Sequence, residues 1–249
     1  KYIEDARKII ADSISCWPDE LIFTATGTEA NATALGRAKG GILISAVEHS
    51  SLRGSVATEA IQGNEKKNWI ASPSARNDGV IPVDANGVVK MDALEKMLAE
   101  QKPALVSVML ANNETGVIQP IAEIAALCKK HNTLVHCDAA QALGKIPVDV
   151  GALGVDMLTL SAHKCGGAVG AAALIVRRGV PFTPLFSGGG QEMRRRAGTE
   201  NVAAIAGFAR AVELFDFGHM KKLRGWMDGM ESVILSVAKD LKDSSASPQ

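Results

Sequence analysis

Short apolar runs alternate with amphipathic segments along most of the chain, and this alternation limits the folds that the sequence can adopt. The runs that predict strands lie at residues 21–26, 41–47, 68–72, 104–110, 133–139, 157–162 and 172–178. Several of them are continuously apolar, which is typical of strands covered on both faces. Alternating strands and helices predict an α/β fold with a mostly parallel sheet sandwiched by helices.

Four segments have a helical pattern. Residues 120–131 repeat apolar side chains at helical spacing, with Pro120 at a first-turn position. Residues 91–102, which end before Pro103, show the same spacing. The stretches 2–14 and 202–242 are also helical in pattern, and neither contains a predicted strand.

Composition restricts the classes of partner. The 249 residues are 47% hydrophobic and 22% charged, which suits a chain with a sizeable core. Acidic and basic residues are equal at 27 each, so we predict no nucleic-acid partner. No apolar run approaches the ~20 residues of a membrane span, so we predict no membrane association. The spacing of the cysteines is not that of metal ligands, so we predict no metal site. We also predict a reduced, cytoplasmic compartment for them. The four cysteines are Cys16, Cys128, Cys137 and Cys165.

Polar residues follow several predicted strands at the point where each strand ends, which is where parallel sheets bind ligands. Gly27 and Thr28 open a helix after the first strand. This start either is capped by Thr28 or binds an anion such as phosphate. His49 follows the second strand, and Asn113 lies in a polar stretch after the fourth; alone, each is equally consistent with a structural histidine and a turn.

Asp138 and Lys164 end two further apolar runs. Asp138 needs a cationic or hydrogen-bonding partner, and a structural ion pair is the alternative to a functional carboxylate. Lys164 follows a buried-looking strand, although buried lysines are rare unless they are paired or used. The strand ends together supply a phosphate-type helix start, an imidazole, an amide, a carboxylate and a lysine. This set fits pyridoxal phosphate, which needs a Schiff-base lysine and a carboxylate against its pyridinium nitrogen.

The motifs resemble those of the cysteine desulfurase family, within the class V aminotransferase group of fold-type-I pyridoxal-phosphate enzymes. They occur in the family's order and nearly span the chain. They are 27–31 (GTEAN), 48–51 (EHSS), 112–121 (NNETGVIQPI), 136–150 (HCDAAQALGKIPVDV), 161–164 (SAHK) and 187–202 (SGGGQEMRRRAGTENV).

The resemblance implies a role for each site residue. Lys164 carries the cofactor and moves protons, Asp138 keeps the pyridine nitrogen protonated, and His49 stacks on the ring; these three are the implied catalytic residues. The further cofactor contacts that the resemblance implies are Asn113 and Gln141 near the phenolic oxygen, Gly27, Thr28, Ser161 and His163 at the phosphate, and Thr199 at the phosphate of a neighbouring subunit.

The implied reaction converts L-cysteine to L-alanine in a homodimer. Sulfur leaves as an enzyme persulfide and passes to an iron–sulfur scaffold or thiolation protein. The resemblance also implies a large cofactor-binding domain at 1–215 and a helical connection at 216–249 towards a small domain that is mostly absent. The nucleophilic cysteine and the arginine for the substrate carboxylate are expected beyond Gln249.

Other functions remain open at this point. A selenocysteine lyase or another class V aminotransferase would use the same site. A truncated relative could keep the cofactor site and catalyse nothing. A nucleotide-binding domain is the least favoured alternative, because no glycine-rich dinucleotide or P-loop motif follows a strand.

Overall fold

The computed structural model describes most of the chain, namely residues 1–36, 38, 40–52, 79–216, 222, 225, 226 and 230. The chain divides into two units, Lys1–Leu214 and Phe215–Gln249. The helices and strands given below all lie in the first unit. Within the described residues, no helix is long and apolar enough to cross a bilayer.

The first unit is built on a seven-stranded sheet. Its strands are β1 (Leu21–Thr24), β2 (Ile42–Ser45), β3 (Gly79–Ile81), β4 (Leu105–Ser107), β5 (Leu134–Asp138), β6 (Met157–Ser161) and β7 (Ala172–Val176). The spatial order is β1-β7-β6-β5-β4-β2-β3. Strands β2 to β6 pair in parallel with one another, and β7 pairs antiparallel with both β6 and β1. The predicted mostly parallel α/β sheet is confirmed.

Six helices with both ends in the described part of the first unit accompany the sheet. They are α1 (Tyr2–Ser13), α2 (Gly27–Leu35), α3 (Met91–Gln101), α4 (Ile121–Lys130), α5 (Val150–Leu153) and α6 (Val202–Glu213). Short 3₁₀ turns lie at Pro18–Glu20, Ala162–Lys164 and Gln191–Arg194. Helix α1 packs against α6, and α2 packs against β6 and β7. Apolar side chains of α2 and the sheet form a buried core.

Some elements differ from the sequence predictions. Strand β3 was not predicted, because its three residues are too few to show a pattern. The predicted strand at 68–72 lies outside the described residues. Pro120 is the N-cap of α4 rather than a residue of its first turn. Of the helical stretch 202–242, α6 accounts for the first part, and most of the remainder is outside the described residues.

The parallel strands all end at the same edge of the sheet, and polar side chains stand at the last positions of all of them except β3. Strand β4 ends at Ser107, β5 at Asp138 and β6 at Ser161. The register brings these ends close, since Ser107 pairs with His136 and Asp138 pairs with Thr159. This edge is where a ligand site is expected in such a sheet.

Candidate active site

A cavity of about 330 Å³ opens at this edge of the sheet. Nine of the ten residues that sequence analysis selected line it, namely Gly27, Thr28, His49, Asn113, Asp138, Gln141, Ser161, His163 and Lys164. Thr199 is the exception. The cavity volume lies within the usual range for sites that bind cofactors and other small molecules.

One wall of the cavity suits an anion. The N–H groups of Gly27 and Thr28 lie in the first turn of α2, where they have no intrahelical acceptor. Thr26, not Thr28 as sequence analysis proposed for a capped helix, is the N-cap, and its hydroxyl accepts from Glu29 N at 3.0 Å. Ser161 Oγ and His163 Nδ1 form a hydrogen bond of 3.1 Å on the same cavity wall. Helix dipole, hydroxyl and imidazole together make a phosphate-type donor set.

Asp138 is a buried carboxylate with hydrogen-bond donors but no cation. Its side chain accepts from Ala140 N at 2.9 Å and from Asn31 Nδ2 at 2.7 Å. Burial is the largest influence and raises the pKa of Asp138, while these two hydrogen bonds oppose the rise. Among the described residues no Lys or Arg forms an ion pair with it, which removes the structural ion pair as its explanation.

The residues of the cavity therefore fit pyridoxal phosphate. A buried carboxylate without a cation suits a protonated pyridine nitrogen, and the start of α2 suits a phosphate. Besides the Asp138 carboxylate, the cavity lining contains a second buried acceptor, Oδ1 of Asn31, which has no hydrogen-bond partner within the described part of the chain. The third requirement, a lysine, is met by Lys164 on the same cavity.

Lys164 is the last residue of the 3₁₀ turn that follows β6, and its side chain is exposed to the cavity. A second lysine, Lys145, lies nearby: burial lowers the pKa of Lys145, and the positive charge of Lys164 lowers it further. The ammonium of Lys145 donates to the backbone oxygen of Gln141 at 3.0 Å and to its Oε1 at 2.7 Å. Because an ammonium can only donate, the amide nitrogen of Gln141 must face away from Lys145.

Six residues of the cavity lining were not predicted from the sequence, and the side chains of two of them, Asn31 and Ser51, form hydrogen bonds with predicted site residues. Asn31 Nδ2 donates to Ser51 Oγ at 3.0 Å as well as to Asp138. Ser51 Oγ lies 2.8 Å from Nδ1 of His49. The one available signal was an asparagine in the middle of a helix, where it is unfavourable unless its side chain has a specific partner.

Thr199 lies apart from this cavity. It lines a second, small cavity of about 50 Å³ together with Arg196 and Glu200. Arg196 forms an ion pair with Glu29 of α2 at 2.8 Å. The loop that carries Thr199 is therefore attached to α2 while Thr199 itself does not reach the lysine cavity of its own chain.

None of the chain's four cysteines has the environment of an activated nucleophile. All four are unpaired thiols. Burial raises the pKa of Cys16 and of Cys128 to about 12, and it raises the pKa of Cys137 well above its ordinary value. Cys165, next to Lys164, donates from Sγ to Ala162 O, and burial raises its pKa as well. Within the described residues, no group of three His, Cys, Asp or Glu side chains could hold a metal ion.

Comparison with known proteins places this site in a family. The model of the aminotransferase class-V family matches residues 1–242. The cysteine desulfurase IscS of Dictyoglomus turgidum is 39% identical over 248 residues, which cover 97% of this chain and 60% of that protein.

Solved structures agree. A NifS-like protein from Rickettsia africae superposes with a TM-score of 0.82 and 36% identity, covering 94% of this chain and 64% of that one. A structure described as SspA in complex with cysteine gives a TM-score of 0.74 and 32% identity, over 86% and 60% of the two chains. The chain thus spans about 60% of the length of these relatives. Because the family match extends over nearly the whole chain, including every residue of the cavity, the chain belongs to the aminotransferase class-V family.

Proposed function

We propose that the intact protein is a pyridoxal-phosphate-dependent cysteine desulfurase that converts L-cysteine to L-alanine. The observation that carries the proposal is that Lys164 and Asp138 line one cavity with the first turn of α2. The relative from Dictyoglomus turgidum, which is named as a cysteine desulfurase, supports this choice of reaction.

Each cavity residue then has a proposed task in holding the cofactor. When bound, pyridoxal phosphate supplies an electron sink for the charge that develops at the substrate's α-carbon. Lys164 holds it covalently and Asp138 accepts from its pyridinium nitrogen. Thr28, Ser161 and His163, with the N–H groups of the first turn of α2, bind its phosphate.

The remaining residues orient the ring and move protons. The amide nitrogen of Gln141, turned away from Lys145, donates to the phenolic oxygen, and Asn113 lines the same cavity. His49 covers a face of the ring. The Lys164 amine takes and returns protons at the substrate's α-carbon.

The sulfur step needs a residue that this chain does not supply. A cysteine thiolate has to attack the substrate sulfur, but burial raises the pKa of all four thiols present and so disfavours their thiolate form. We therefore propose that the nucleophilic cysteine, and the arginine that binds the substrate carboxylate, lie beyond Gln249. The persulfide sulfur then passes to an iron–sulfur scaffold or thiolation protein.

The assembly is also proposed. Thr199 does not reach the cavity of its own chain, which is consistent with its serving the phosphate of a second subunit in a homodimer. Residues 1–215 would form the large domain, and 216–249 would lead to a small domain. The unpaired cysteines favour the cytoplasm as the compartment.

The test is made on the intact natural protein, purified with pyridoxal phosphate. We expect a visible absorbance band and release of alanine and sulfide from L-cysteine in the presence of a thiol. Lys164→Ala should lose both the band and the activity. Lys96→Ala, which removes an exposed lysine of α3, is the matched control and should keep both.

The outcomes separate the candidate functions. A band that survives Lys164→Ala unaltered would show that another lysine binds the cofactor. A yellow protein that is inactive on L-cysteine but active on L-selenocysteine would be a selenocysteine lyase. A yellow protein that transfers the amino group of an amino acid substrate to a keto acid would be an aminotransferase. A yellow protein inactive in all three assays would be a non-catalytic relative.

A further inference from the structure

We propose that Asn31 and Ser51 are positioning residues: they fix the His49 imidazole in its Nε2–H tautomer and connect it to the carboxylate of Asp138. The functional consequence rests on the proposed role of His49 and Asp138 in holding pyridoxal phosphate. The tautomer itself follows from the hydrogen bonds of the chain alone.

Asn31 is the centre of this arrangement. Its side chain belongs to α2, is only 2% exposed, and has two N–H donors on Nδ2. One points to Asp138 Oδ2 at 2.7 Å and the other to Ser51 Oγ at 3.0 Å. Because the carboxylate of Asp138 can only accept, the nitrogen of the Asn31 amide must face it, and the orientation of that amide is thereby set.

Ser51 determines which ring nitrogen of His49 accepts hydrogen bonds. The backbone N–H of Ser51, which can only donate, points at Nδ1 of His49 at 3.2 Å. Nδ1 is therefore the acceptor in its 2.8 Å contact with Ser51 Oγ as well, and the hydroxyl donates to it. Two donors converge on one ring nitrogen, so Nδ1 must present its lone pair and the neutral ring must carry its proton on Nε2.

The backbone holds the imidazole in this position. Residues 50–52 are helical, and Leu52 N donates to His49 O at 2.9 Å. His49 Nδ1 therefore acts like a cap for this turn, and a flip of the ring would leave the Ser51 N–H without its acceptor. The chain thus fixes both the orientation and the tautomer of the imidazole at the cavity before any ligand binds. A neutral imidazole held in this way is suited to cover a cationic ring.

The first experiment reads the tautomer directly. The intact protein, labelled with ¹⁵N in histidine, is examined by two-bond ¹⁵N–¹H NMR without cofactor, with His49 assigned from a His49→Gln variant. We expect an unprotonated Nδ1 and a protonated Nε2. Ser51→Ala should move the Nδ1 shift downfield, towards that of a nitrogen without hydroxyl donation, and Ser51→Thr should restore the wild-type shift because it keeps the hydroxyl.

The second experiment measures how Asn31 affects the titration of Asp138. Asn31→Ala removes a donor from Asp138 and should raise the midpoint of its ¹³C carboxyl titration by roughly one pH unit. Thr33→Ala is the matched control on α2, since its hydroxyl bonds only the backbone oxygen of Glu29 in the described structure. The Thr33 variant should leave the Asp138 titration unchanged.

These readouts are independent of the proposed function. A wild-type His49 with a protonated Nδ1, or a Ser51→Ala spectrum identical to the wild-type spectrum, would overturn the positioning role. An unmoved Asp138 titration in Asn31→Ala would do the same for Asn31. If the expected tautomer is seen in a protein that binds no pyridoxal phosphate, the positioning role stands and the proposed function fails.

Discussion

Two histidines, His49 after β2 and His136 within β5, show how context decides the role of one side chain. His49 lies in the loop after β2 and lines the cavity. His136 lies inside β5 and is fully buried, with Nδ1 2.8 Å from Ser107 Oγ and Nε2 3.0 Å from Thr159 Oγ1. Hydroxyls on the two neighbouring strands satisfy both ring nitrogens, so His136 is a structural residue of the sheet.

Burial of His136 predicts a specific dependence of stability on pH. Burial lowers its pKa from 6.5 to about 3, so the unfolded chain binds a proton in this window that the folded chain does not. The contribution of His136 to stability is complete above pH 6.5 and is lost as the pH falls towards 3. The slope is up to ~1.4 kcal/mol per pH unit.

The measurement is urea unfolding at pH 7 and pH 4.5 for the wild-type protein and for His136→Gln. The wild-type protein should lose about 2–3 kcal/mol more than the variant between the two pH values, since only the wild type carries this titrating group. Equal losses in the two proteins would mean that His136 is protonated in the folded state.

At the scale of secondary-structure elements, a buried ion pair attaches the loop around Gln191–Arg194 to α1 and β1. Arg7 of α1 and Glu192 are 3% and 4% exposed, and their closest atoms are 2.8 Å apart. Arg7 also donates to Leu21 O, and Glu192 also accepts from Phe23 N. Glu192, Met193 and Arg194 all have positive φ angles, a strained conformation for these residues that the ion pair helps to hold.

This pair predicts a non-additive mutant cycle. Arg7→Met leaves the Glu192 carboxylate buried without a cation and should cost about 3–5 kcal/mol in the free energy of unfolding. Arg7→Met combined with Glu192→Gln should be more stable than Arg7→Met alone, because glutamine is neutral and still accepts from Phe23 N. Arg210→Met, which breaks an exposed pair with Glu213, is the control and should cost less than about 1 kcal/mol. Additive effects of the two buried substitutions, measured by urea unfolding, would contradict this coupling.

The elements that sequence analysis predicted well are those with strong local signals. Strand β6 is buried at all five positions, and its continuous apolar run was sufficient to identify it. The start of α2 was identified, but the alternative of a capped helix named Thr28 instead of Thr26, because threonines flank Gly27 on both sides and local sequence does not choose between them. Asn31 was missed as a site residue, since its partner Asp138 is 107 residues away and only the folded sheet brings them together.

At the scale of the whole molecule, the separation of Thr199 from the lysine cavity gives the proposed homodimer a direct test. If Thr199 serves a second subunit, Lys164→Ala and Thr199→Ala inactivate different halves of each shared site. Mixed dimers of the two variants then contain one intact site, which would restore roughly a quarter of the wild-type sites when the chains mix at random.

The measurement is the release of alanine from L-cysteine by the co-expressed, co-purified variants, compared with each variant alone. Recovery above the sum of the two separate variants is the expected result. Activity no higher than that sum, or a Thr199→Ala protein with full activity and cofactor affinity, would contradict a shared site.

The antiparallel placement of β7 has a consequence for the lysine. Strands β6 and β7 are neighbours joined directly by residues 162–171, and Ser161 pairs with Ala172 where the two strands part. Inside this connection, Ala162 O accepts from both Cys165 N and Gly167 N. The segment that carries Lys164 is thus a hairpin connection closed by its own backbone hydrogen bonds. We therefore expect movement of the Lys164 amine within the cavity to come from rotation about its side-chain bonds, because these hydrogen bonds hold the main chain of the connection.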